Sequence, residues 1–247
     1  MGVHENLSLG LVGFGAFGKL VARELGAHFD LVVSDPAYVG AVLEDGRAFA
    51  TGELEEIAAC DVVVLAVPVA RMAHLCEKLG PMLRPGTLVL DVGSVKLGPM
   101  QVMEEHLPRD VDIVGTHPLF GPQSAQGGVA GRKIALCPLR GARWRVVAAF
   151  LRRLGLEVIV TTPEAHDREA ATVQGLTHLI AKVLSDLGPL PERMTTASFD
   201  LLRDAIAMVK DDPPTVLHAI EAANPYAAGV RDAFFARAEK LRTQFEA

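Results

Sequence analysis

The chain has 247 residues, half of them apolar, with 24 basic against 30 acidic side chains and a net charge of -6. That length holds one large domain or two modest ones with a sizeable core. The acidic balance and the lack of a basic block argue against nucleic-acid or membrane-surface partners, so an anionic ligand must be met by local cations.

The first apolar run begins at Leu7 and leads into Gly13, Gly15 and Gly18, spaced G-x-G-x-x-G. The run reads as a buried strand and the glycines as a tight turn into a helix over 16–25, with Leu20, Val21 and Leu25 inward. Gly13 permits the turn, Gly15 lets the backbone approach a pyrophosphate, and Gly18 lets helix and strand pack closely. Free N–H groups at the helix start would receive phosphates. The stretch Gly13, Phe14, Gly15, Ala16, Phe17 and Gly18 is therefore a candidate dinucleotide cradle. A second run, 29–34, ends at Asp35, 17 residues beyond Gly18. An acid there suits a ribose 2′-OH and disfavours a 2′-phosphate, which points to NAD over NADP. The competing reading of Asp35 is a strand-ending turn residue before Pro36.

A short helix is expected over 37–43, a small strand near 47–50 and another short helix over 52–59. DVVVLAV, 61–67, is a continuous apolar strand of the doubly buried kind. It delivers Val67 and Pro68, which join the cofactor candidates. A helix over 69–80, a strand over 87–92, a helix over 97–106 and a strand over 111–114 follow. After the glycine-rich loop 123–133 come a strand at 134–137, a helix at 144–154 and a closing strand at 157–160. This rhythm predicts an α/β fold with a Rossmann-like, doubly wound, mostly parallel sheet.

The pattern changes after Pro163. Four helices are expected, over 165–187, 199–208, 215–223 and 225–245. The division is thus a dinucleotide-binding domain, 1–163, and an all-helical domain, 164–247. The first of these helices carries Val173, Leu176, Leu179, Ile180, Val183 and Leu184 around much of its circumference, so it should be buried. Eighty-four residues make a thin domain, and dimerisation through these helices is expected. Cys60, Cys76 and Cys137 form no CxxC pair and read as small buried hydrophobes in a reducing compartment. The chain shows no basic-plus-apolar leader and no apolar run of about 18 residues, so a cytoplasmic protein with no membrane span is expected.

Two strand ends carry candidate chemistry. In DVGSVK, 91–96, Ser94 is placed to hydrogen-bond a substrate hydroxyl or a partner histidine, and Lys96 to meet a carboxylate. Equally, Asp91 and Ser94 suit helix caps, with Lys96 solvated. His117, between a strand end and Pro118, is an acid–base candidate, because imidazole changes charge near neutral pH. The alternative is a histidine satisfied by its backbone neighbours. On the long helix, His166 and His178 are 12 residues apart and Gln174 shares the face of His178. No metal-ligand cluster joins them. Arg203, in an apolar helix, pairs either with Asp200 or Asp204 or with an incoming carboxylate.

These motifs resemble the prephenate and arogenate dehydrogenases of tyrosine biosynthesis over nearly the whole chain. The resemblance rests on GLVGFGAFG at the start, LAVPV at 65–69, DVGSVK at 91–96, GTHPLFGPQSA at 115–125 and EAHDREAATVQGLTHL at 164–179. It implies that His117 is the catalytic histidine, bonded to the C4 hydroxyl of the substrate, and that Ser94 touches the same hydroxyl. It implies that His178 lines the substrate pocket, with Gln174 beside it, and that Arg203 meets a substrate carboxylate. It further implies NAD as cofactor, a homodimer through the helical domain, and prephenate as substrate, with arogenate or both as the alternative. A β-hydroxyacid dehydrogenase, an imine reductase or a protein that kept the fold without the chemistry fits less well, because none needs the THPLFGP element. The family often carries a chorismate mutase or a regulatory module. Neither is expected here, so inhibition by tyrosine would have to act at the active site.

Overall fold

The computed structural model describes residues 7–38 and 40–246. The chain separates into two compact units, Met1–Pro163 and Glu164–Ala247. Among the described residues of the first unit, one sheet contains β1 (Ser8–Val12), β2 (Asp30–Ser34), β3 (Ala41–Val42), β4 (Ala48–Thr51), β5 (Val62–Leu65), β6 (Leu88–Asp91), β7 (Asp112–Pro118), β8 (Lys133–Arg140) and β9 (Glu157–Val160). The strand order is β3-β4-β2-β1-β5-β6-β7-β8-β9. β1 pairs in parallel with both β2 and β5, so the winding reverses beside it and opens a crevice at the strands' carboxyl ends.

Side chains along the central strands alternate between two cores. Leu9, Leu11, Val62, Val64, Leu88 and Leu90 pack under α1 (Ala16–Leu25) and α5 (Trp144–Arg153). Val63, Leu65, Val89 and Ile113 pack under α3 (Val69–Leu79) and α4 (Leu97–His106), against Met72, Cys76, Met100 and Met103. Both faces are apolar, which is why DVVVLAV shows no alternation. All three cysteines are buried. Burial, aided by the nearby Asp91 carboxylate, pushes the Cys76 thiol up to about 12.

Three expectations need correction. The helix expected over 37–43 is absent among the described residues there; Val39 lies outside them. Asp35 Oδ1 accepts from the Ala37 N–H at 2.8 Å, forming a turn, and Ala41–Val42 instead pairs antiparallel with β4. The strand expected to stop at 114 runs on to Pro118, because antiparallel β8 pairs with it as far as Ile134. His117 is therefore a strand residue rather than a loop residue, opposite Ala135.

The second unit consists of α6 (Pro163–Asp186), α7 (Ala197–Val209), α8 (Pro214–His218), a π-helical turn (Ala219–Ala223) and α9 (Ala227–Phe245). The third correction concerns α6. Within one chain its buried positions are His166, Asp167, Ala170, Ala171, Gly175, His178 and Ala181. The apolar residues expected inside are not buried, and Val173 and Val183 are exposed. The face that packs within the chain is the one with small and polar residues, which allow neighbouring helices close approach.

Candidate active site

The glycine turn sits at the crevice beside β1. Gly13 has φ 99°, and a Cβ there would lie 2.3 Å from the Ala66 carbonyl oxygen. A Cβ on Gly18 would lie 2.1 Å from the Gly13 oxygen. Both positions require glycine, one for backbone shape and contact, the other for contact alone. Gly15, the N-cap of α1, has open space where a Cβ would point, and the first turn of this helix carries no acid and no side-chain cap. An uncapped, positively polarised helix start facing open space fits a pyrophosphate. Phe14 and Phe17 contribute only backbone here, because Phe14 is fully buried and Phe17 packs against the same core. Val67, half-buried, and Pro68, exposed, border the crevice after β5.

Asp35 stands at the end of β2. Its Oδ2 accepts from the Phe14 N–H at 2.7 Å, so it also holds the glycine turn in place. A carboxylate has about four acceptor positions, and two backbone donors leave room for a sugar hydroxyl. The turn-residue and ribose readings of Asp35 are thus compatible.

Asp91 and Gly115 are register partners on β6 and β7, so Ser94 and His117 lie just beyond and just within neighbouring strand ends. His117 is 3% exposed and Ser94 is half-buried. Lys96 corrects an expectation. It is completely buried, and the carboxylate it meets is that of Asp91, with which it forms an ion pair. Its ammonium also donates to the Thr116 carbonyl at 2.7 Å. Neither a solvated lysine nor one held open for a ligand matches that position. Asp91 does not cap α4, whose N-cap is Lys96 itself. The 121–131 loop is a chain of turns, tied to α1 by Arg23 Nη2 donating to the Ala125 carbonyl at 2.6 Å.

In the second unit, His178 is buried, with Nδ1 3.0 Å from the Gln174 carbonyl and Nε2 3.1 Å from Asp212 Oδ2. Both ring nitrogens face acceptors, an arrangement that only the imidazolium satisfies fully. Burial opposes the charge, but Asp212, the Gln174 carbonyl and the more remote Glu221 outweigh it and raise the His178 pKa. The stability this pair contributes is present in full below the unfolded histidine value of about 6.5 and is lost as pH rises through the higher folded value. An Asp212→Asn change is expected to lower the His178 pKa, read from its ring resonance in an NMR titration. No movement would mean that Asp212 is not the partner that sustains the charge.

Gln174 is half-buried one turn before His178. Arg203 Nη1 lies 3.3 Å from the Pro191 carbonyl and 4.0 Å from Asp200, with its side chain 32% exposed. His166 Nδ1 is 2.7 Å from Asp167 Oδ1, and the buried Asn224 donates to the Asp167 carbonyl at 2.7 Å. Sequence reasoning singled out neither Asp212 nor Asn224 as a partner. Each lies more than 30 residues from the group it contacts, and no local pattern announces it. Among the described residues no His, Cys, Asp or Glu group is arranged to hold a metal, and no helix is long and apolar enough to cross a membrane.

Comparison with known proteins matches two family models. One, described as prephenate dehydrogenase, nucleotide-binding domain, covers residues 34–160, and the other, described as prephenate dehydrogenase, dimerization domain, covers 162–247. A probable arogenate/prephenate dehydrogenase of Methanocaldococcus jannaschii is 28% identical over 96% of this chain and 56% of its own length. Arogenate dehydrogenase 1, chloroplastic, of Arabidopsis thaliana is 26% identical over 97% of this chain and 39% of its own. The chain therefore spans about half the length of these relatives. Among solved structures, prephenate dehydrogenase from A. aeolicus in complex with hydroxyphenyl propionate and NAD+ aligns with a TM-score of 0.76 at 22% identity, covering 97% of this chain and 90% of that one. That likeness shows the shared fold.

Proposed function

This chain belongs to the prephenate dehydrogenase family, and from that premise we propose that it oxidises and decarboxylates prephenate with NAD⁺, giving 4-hydroxyphenylpyruvate, CO₂ and NADH. The observation that carries the reading is His117, a buried imidazole at the carboxyl edge of β7, two residues past Gly115, the register partner of Asp91, whose strand leads into the arch that carries Ser94. Prephenate carries a hydroxyl at C4 and a carboxylate across the ring. As hydride leaves C4, His117 takes the hydroxyl proton, so the carbon becomes a carbonyl. Ser94 hydrogen-bonds the same oxygen and orients it. Departure of CO₂ then restores an aromatic ring, which drives the reaction forward.

Bound NAD⁺ supplies the hydride acceptor. The start of α1 would hold its pyrophosphate and Asp35 its adenosine ribose. In the helical domain, Arg203 serves a substrate carboxylate, while Gln174 and His178, whose ring nitrogens are already held by the Gln174 carbonyl and Asp212, line the pocket. Lys96, neutralised by Asp91, serves the site from beneath rather than by touching substrate. The exposed Val173 and Val183 of α6 suit cover by a second copy, and we assign the helical unit to a homodimer interface.

A second reading, L-arogenate as the substrate or both substrates accepted, is favoured by relatives named for that activity. Arogenate differs only in bearing an amine in place of the keto group, and the same His117, Ser94 and Arg203 would serve it. The test is NADH formation, followed by absorbance, with prephenate, arogenate and a simple hydroxyacid offered separately. Silence with both cyclohexadienes overturns both readings. Asp35→Ala is expected to weaken NAD⁺ and narrow its advantage over NADP⁺, measured as paired KM values. An unchanged ratio would show that Asp35 does not read the ribose.

A further inference from the structure

We propose that the buried Asp91–Lys96 ion pair is a clamp that positions Ser94 and His117 together. Both residues are completely buried at the carboxyl edge of the sheet. The connections close a ring. Lys96 Nζ is paired with Asp91 Oδ2 and donates to the Thr116 carbonyl; Thr116 Oγ1 donates back to the Asp91 carbonyl at 2.6 Å. Asp91 Oδ2 also accepts from the Gly93 N–H at 3.0 Å. The carboxylate therefore holds both ends of the short arch 92–96, and Ser94 sits in its middle. On the other strand, the carbonyl held is that of Thr116, which shares a planar peptide unit with the His117 N–H. Any movement of the ammonium is passed directly to the backbone that carries the imidazole.

The surroundings argue for a role in geometry rather than in stability. The Lys96 stem and Met100 of the apolar core meet over Gly115, and the Asp91 carboxylate acts on the buried Cys76 of the same core. Asp91 Oδ1 makes no hydrogen bond of full geometry among the described residues, the Thr116 N–H being the further donor that bears on the carboxylate, so the site carries an under-satisfied buried acceptor. Apolar residues of similar volume in place of a buried ion pair are often neutral or stabilising. Gly115 gives way to this arrangement, since a Cβ there would lie 2.5 Å from Met100 Sδ and 3.2 Å from Lys96 Cδ. An ion pair held at such cost, in contact with both strand ends that carry the reacting groups, acts on geometry. Asp91 and Lys96 are then positioning residues, and this inference rests on the catalytic reading of His117 and Ser94.

The test is the double variant Asp91→Leu/Lys96→Met. It removes both charges together and leaves neither one stranded. The expected result is a melting temperature near that of the wild type, a KM for NAD⁺ within about threefold, and kcat lower by about 10²-fold, the scale of loss from a displacement near 1 Å. A second readout needs no turnover. In histidine-labelled protein, the His117 ring resonance, assigned by its loss in His117→Asn, should shift or broaden while those of remote histidines stay in place. Should the double variant not fold, Asp91→Asn is subjected to the same two measurements. A kcat within about threefold of wild type together with an unmoved His117 resonance overturns the clamp. If the wild type oxidises neither cyclohexadiene, the functional reading fails, and the resonance alone decides whether the pair positions His117.

Discussion

Replacing His117 with asparagine is expected to lower kcat by about 10²- to 10⁴-fold, the usual contribution of a positioned general base. Asparagine keeps a polar side chain of similar reach and leaves the β7–β8 pairing to the backbone, so the strand should survive. It has no nitrogen that takes up a proton near neutral pH. The loss should therefore fall on the chemical step, with kcat and kcat/KM reduced together. NAD⁺ affinity should hold, because the groups assigned to the dinucleotide lie on the turn after β1, at the end of β2 and just past β5, with β6 between them and β7. The acidic limb of the pH–rate profile should also vanish, since it reports the group that must be unprotonated to accept the hydroxyl proton. If NAD⁺ binding collapses and the remaining turnover keeps its pH dependence, His117 holds the strand edge together and another group does the chemistry.

Residues whose roles are set by their immediate neighbours were the ones legible in the sequence. The glycine spacing follows from two contacts within six residues of each other or with the adjoining strand, and Gly13 and Gly18 make those contacts. The apolar run at 61–67 reads as a strand because helices cover both its faces. Residues whose roles depend on pairing across the fold are not legible there. The end of β7 could not be placed from 111–118 alone, because β8 supplies the hydrogen bonds that extend it. Lys96 in DVGSVK reads equally as solvated or as meeting a ligand's carboxylate, and its destination becomes visible only when β6 and β7 lie side by side. The raised pKa of His178 depends on Asp212, 34 residues away in the connection between α7 and α8. α6 was misread for a different reason. Its composition correctly signals apolar surface in need of cover, but periodicity does not say whether that cover comes from the same chain.

The second large effect is expected from Lys96→Met alone, which leaves Asp91 buried without its cation. Breaking one side of a buried ion pair costs about 3–5 kcal/mol, and in a chain of this size that lowers the melting temperature by on the order of 10 °C. The sign of the pH dependence identifies the cause. Burial raises the Asp91 pKa even in the wild type, and Lys96 is the largest influence opposing that rise. Without Lys96 the folded-state value moves further above the unfolded one of about 3.9. A carboxyl group whose pKa is raised by folding destabilises most when the pH is above its folded value, and the penalty disappears as pH falls to the unfolded value. The deficit of Lys96→Met should thus be largest at neutral pH and narrow steadily toward pH ~4, as Asp91 folds in protonated. Thermal melts of variant and wild type across that range make the comparison. A deficit that stays constant with pH would assign the loss to packing of the lysine stem against Gly115 and Met100, and a deficit that widens on acidification would contradict an unpaired Asp91 altogether.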